Sequence, residues 1–134
     1  MAELEATILI SSGPISSELV AVYGDTLIHR ASVFHGAGAP GEAVFLENEL
    51  DLGPAPRHGN ADIFMRLASE IANGQPPELW HDQNGFQLMR RVKVERIGLE
   101  GNYYPATQAA LIQDTARRLT LLLNHAQVKC FFNS

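Results

Sequence analysis

The sequence predicts an all-β, antiparallel β-sandwich, and three observations carry that prediction. Apolar residues recur with period two in short runs, Gly, Pro and Asn-Gly punctuate those runs, and stretches of helical spacing with useful length are scarce. With 134 residues, 46% of them hydrophobic, the chain is long enough for one domain over residues 1–134 with a real core, which excludes a disordered segment.

Taken in order, residues 3–11 read as a first strand, because Thr7, Ile8, Leu9 and Ile10 favour extended backbone and Ser12-Gly13-Pro14 stops them. Residues 17–23 and 26–34 flank Gly24-Asp25, a connection short enough for a hairpin. Residues 35–41 hold three glycines and a proline and read as a surface loop. A phosphate cradle would need Lys and then Ser or Thr after the last glycine, where this chain has Glu42 and Ala43.

The pattern is sharpest over residues 42–52, where Val44, Leu46, Leu50 and Leu52 share one face and Glu47, Glu49 and Asp51 the other. Carboxylates two apart on a strand point the same way, as an acid/base pair for glycoside hydrolysis would. A solvated polar face accounts for the same three acids without any chemistry. Residues 61–72 fit helical spacing at Ile63, Leu67 and Ile71 and alternation at Ile63, Met65, Leu67 and Ile71. Strand neighbours favour a strand there.

Residues 82–85, Asp-Gln-Asn-Gly, mark a tight reversal, since Asn-Gly accepts positive φ. The returning strand, residues 86–96, places Phe86, Leu88, Val92 and Val94 toward a core, with Gln87, Met89, Arg91, Lys93 and Glu95 toward water. Residues 107–113 and 119–124 bracket a polar hairpin connection at 114–118.

Charge and motifs narrow the function classes. A net charge of −5 with scattered basic residues supplies no footprint for a phosphate backbone, so nucleic acid is excluded as a partner. The single cysteine, Cys130, allows no intramolecular disulfide, and no apolar run approaches the ~20 residues that span a bilayer. No basic segment followed by an apolar stretch opens the chain. His29, His35, His58, His81 and His125 lack Cys, Asp or Glu at close metal-ligand spacing and read as scattered surface histidines. Zinc-protease, redox and serine-hydrolase signatures are missing as well, so no catalytic or metal residue is assigned. Tyr103, Tyr104 and Trp80, with Asn102 beside the tyrosines, are the candidates for carbohydrate contact, because aromatic faces stack on sugar rings. Filling the core of a small β domain is the competing use of the same residues.

One set of residues goes further. Asp82-Gln83-Asn84-Gly85-Phe86-Gln87, Arg90-Arg91, Gly101-Asn102-Tyr103-Tyr104-Pro105, Ile112-Gln113-Asp114 and Arg118-Leu119-Thr120-Leu121-Leu122 resemble, in order and spacing, the middle β region of class II α-mannosidases, glycoside hydrolase family 38. The resemblance covers residues 45–127, with a divergent tail at 128–134. It implies a fragment of a large sandwich of the galactose-mutarotase type, cut from a parent that hydrolyses α-mannosidic bonds in N-glycans. The parent's zinc and nucleophile are expected on a separate barrel domain, and its setting in the Golgi, lysosome or secretory pathway. This chain alone is expected to be inactive, to carry no cofactor, and to meet the remainder of the parent or itself through exposed sheet edges. A free-standing carbohydrate-binding or protein-interaction module is the alternative that the tyrosines and Trp80 keep open.

Overall fold

The computed structural model describes residues 5–51, 53, 64–98 and 100–130. His58, Leu52, residues 61–63 and the last four residues of the divergent tail lie outside them. Two compact units divide the chain, Met1–Asp62 and Ile63–Ser134. Every strand pairing among the described residues is antiparallel, and none of those residues is in an α-helix, so the all-β antiparallel class is the one observed.

The first unit is a meander of β1 (Thr7–Ser12), β2 (Ser16–Tyr23), β3 (Leu27–Phe34) and β4 (Val44–Leu50). Gly24, at φ 55°, makes the β2–β3 turn, a conformation glycine adopts without steric cost. Register stacks Ile10, Leu19, Ala31 and Leu46 across one face, with Ile8, Val33, Val44 and Leu50 on the same side. Alternation therefore assigned the faces of β4 correctly. The apolar face is nevertheless largely open to solvent: Ile10 is 76% exposed and Val44 62%.

The second unit holds β5 (Glu78–Gln83), β6 (Gln87–Val92), β7 (Tyr103–Ala106), β8 (Ala109–Gln113), β9 (Arg118–Leu122) and β10 (Gln127–Cys130). Strands β6-β5-β8-β9 form one sheet and β10-β7 a two-stranded ribbon. The layering is sandwich-like, because Ala106 and Tyr104 of the ribbon pack against Leu79, Ala110 and Ile112 of the sheet. Asn84 and Gly85, at φ 58° and 72°, turn β5 into β6, as the Asn-Gly signal predicts.

Two expectations are corrected here. The described part of 61–72 is not a strand. Instead of joining a ladder, the Ala72 N–H donates to Asp114 and the Glu70 carbonyl accepts from Arg117, so the segment is tied to the β8–β9 turn. On β6 the faces are reversed. Met89 and Arg91 share the inner side with Leu79 and His81, while Phe86 is 90% exposed and Leu88 is open. The inner layer offers a tyrosine ring that attracts a guanidinium, so a cation outcompetes an aliphatic chain there. Elsewhere, β7 contains Pro105 and pairs with Gln127–Cys130. An edge ribbon tolerates a residue without an N–H.

Candidate functional site

Asp82, near the end of β5, accepts four backbone hydrogen bonds. Its Oδ1 accepts from the backbone N–H groups of Thr107 (3.0 Å), Gln108 (2.8 Å) and Ala109 (2.8 Å), and Oδ2 from that of Gly85 (2.9 Å). The Ala109 N–H, acting with those of Gln108, Gly85 and Thr107 against the cost of burial, holds the carboxyl down at about 2. One carboxylate thus joins the β5–β6 hairpin to the β7–β8 turn. Next to it His81 is completely buried, which corrects its reading as a surface histidine. Arg91 Nε donates to His81 Nε2 at 3.1 Å, so Nδ1 carries the proton and donates to the Pro105 carbonyl at 2.6 Å. The Tyr104 ring stacks on the imidazole at 5.6 Å, with the Arg91 guanidinium 5.1 Å from the ring centre.

The four carbohydrate-contact candidates fall in separate places. Asn102 is fully buried; its Oδ1 accepts from Val94 N–H at 2.9 Å and its Nδ2 donates to the carbonyls of Val94 (3.0 Å) and Gly98 (2.6 Å). Tyr104 lies in the layer between ribbon and sheet, and Tyr103, its neighbour on β7, points to the opposite side of the ribbon and is exposed. Trp80 precedes the buried His81 on β5 and so faces away from that layer. No single aromatic wall joins the three rings.

Trp80 instead lines a groove of about 480 Å³ with Asn73, Gly74, Glu78, Gln113 and Asp114. The ladder sets these positions: Trp80 lies opposite Arg90 on one side and Leu111 on the other, and Gln113 ends β8. The Asn73 amide donates to the Glu78 carbonyl at 2.9 Å, and Glu78 N–H donates to the Asn73 carbonyl at 2.7 Å, closing the loop onto β5. Both charges in the groove are occupied. Glu78 takes a two-point ion pair from Arg90, which lowers its pKa, and Asp114 is lowered first by the N–H groups of Ala116 and Arg117. Gln113, Thr115 and Asn73 were not singled out as contact residues, since their proximity to Trp80 comes from pairing and loop closure.

Glu47 and Glu49 sit on an exposed face of β4, Glu49 4.0 Å from Arg30. His29 bonds Asn48 at 2.7 Å and His35 bonds Ser17 at 3.0 Å. Among the described residues no three His, Cys, Asp or Glu side chains are grouped to hold a metal, so these residues do not fit a zinc site.

No family model matches the chain. The α-mannosidase 2 of Spodoptera frugiperda, however, is 45% identical over 121 residues, which takes in 90% of this chain and 11% of that relative. The chain corresponds to a segment of a class II α-mannosidase. The α-mannosidase 2 of Homo sapiens is 33% identical over 113 residues, 84% of this chain and 9% of that relative. An epididymis-specific α-mannosidase of Sus scrofa is 34% identical over 85 residues, 60% of this chain and 8% of that one. The chain therefore spans about a tenth of the length of the curated relatives it matches.

Proposed function

We propose that this chain serves as a non-catalytic β-structured part of an α-mannosidase that hydrolyses α-mannosidic bonds in N-glycans, with zinc and nucleophile supplied by the remainder of the parent. The observation that carries the proposal is the match itself, nearly all of this chain against about a tenth of the relatives. The open apolar face of the β1–β4 sheet supports it, because exposed Ile8, Ile10 and Val44 form the kind of surface that another part of a protein covers. In this reading Asp82, His81 and Asn102 hold the β5–β8 layer rigid, and Tyr103 and Trp80 are the aromatic rings open to glycan.

Complementation tests this. The Spodoptera frugiperda relative lacking its matching segment is coexpressed with this chain and assayed on a chromogenic α-mannoside. Activity that depends on both pieces is expected, with none from this chain alone. Zinc-dependent turnover by this chain alone, or a remainder that stays inactive in its presence, overturns the proposal.

A further inference from the structure

We propose that the Trp80 groove is a binding subsite for a neutral glycan, in which a hexose ring stacks on the indole and hydrogen bonds to Gln113 and Thr115. The choice of mannose as probe rests on the reading above; the subsite itself rests on the groove. Its volume, about 480 Å³, lies in the ~300–1,000 Å³ range of small-molecule sites.

The chemistry of the lining selects the ligand class. Glu78 is bound on both oxygens by Arg90, and Asp114 by the N–H groups of Ala72, Ala116 and Arg117 and by the Arg117 guanidinium. With its charges satisfied internally, the groove offers little to an ion. What it leaves without a partner among the described residues is neutral: the Trp80 indole N–H, the Gln113 side-chain NH₂ (its oxygen already accepts from Arg118) and the Thr115 hydroxyl. Donors and a hydroxyl beside a half-buried aromatic ring suit a polyhydroxylated ring, which has an apolar C–H face for stacking and oxygens at its edge. The walls are also set in advance. A Cβ at Gly74, whose φ is 101°, would come 3.1 Å from Glu78 Cγ and from the Pro76 carbonyl, so the loop already lies tight against β5. Little ordering cost then falls on the ligand.

Trp80 is the sole tryptophan, so its fluorescence reports the groove directly. The full chain is titrated with methyl α-D-mannopyranoside, a mannotriose and, as a charged comparison, sodium glucuronate. Saturable change is expected with the neutral sugars and weaker change with glucuronate. The double variant Gln113→Ala/Thr115→Ala should bind about tenfold more weakly, as the loss of two hydrogen bonds predicts, while Phe86→Ala, at an exposed ring that does not line the groove, binds normally. Circular dichroism confirms that each variant is folded, and nuclear magnetic resonance of the Gln113 side-chain amide gives a second readout in Trp80→Phe. Absence of saturation, undiminished binding by the folded double variant, or glucuronate binding as tightly as mannoside overturns the subsite. Complementation that succeeds without sugar binding removes this proposal alone; binding without complementation removes the parent assignment alone.

Discussion

Replacing Asn102 with alanine is expected to unfold the second unit at much lower temperature without touching the first. The amide is fully buried and makes three bonds to backbone, one from Val94 N–H and two to the carbonyls of Val94 and Gly98. Alanine strands all three partners. Since a buried group left without its partner costs ~1–3 kcal/mol, and carbonyls with a second lone pair sit at the low end, the sum is about 3 kcal/mol. For a unit of this size each kcal/mol lowers the midpoint by ~4–8 °C, so a fall of about 15 °C is expected. Trp80 fluorescence follows the transition in this unit alone. Asn102→Asp separates the bonds from the volume, because a carboxylate keeps the acceptor for Val94 N–H but faces the Gly98 carbonyl with no donor unless protonated. That variant should therefore gain stability as pH falls, its folded carboxyl being raised above the unfolded one. A midpoint for Asn102→Ala within 3 °C of the parent chain would refute the reasoning.

Three further outcomes are expected. Because the folded Asp82 carboxyl is held at about 2 against an ordinary 3.8, its contribution is full above the ordinary value and is lost as pH falls through the folded one; an acid titration should show the second unit weakening in that window, and Asp82→Asn, less stable at neutral pH, should lose this part of the slope. Arg91→Leu leaves buried His81 Nε2 without a donor and Tyr104 without its cation, and should cost ~1–3 kcal/mol in urea unfolding, whereas Arg90→Leu, removing an exposed ion pair, should cost well under half as much. Ile10→Lys combined with Val44→Lys places charge on the open face of the first unit and should convert a concentration-dependent associating species, seen by sedimentation velocity, toward monomer.

Local chemistry made much of this fold legible. The Asn84-Gly85 reversal, the Gly24 turn and the alternation of β4 depend on backbone preferences and a two-residue period that hold wherever the strand is placed. Segment 64–72 was misread because its periodicity fits two structures, and the bonds that decide between them come from Asp114 and Arg117, more than 40 residues on. The β6 faces were misread for a related reason: alternation separates two sides but does not say which is covered, and Tyr104, from another strand, rewards Arg91 for turning inward.

The candidate site divides along the same line. Residue order alone determined the antiparallel all-β class and the kinship with α-mannosidases, since both are properties of pattern and identity along one dimension. Burial of His81, the threefold capture of Asp82 by a distant turn, and the meeting of Trp80 with Gln113 and Thr115 were decided only in three dimensions. A strand's partners are set by closure of the chain, and the free energy of a buried polar group depends on what that closure brings within hydrogen-bond reach.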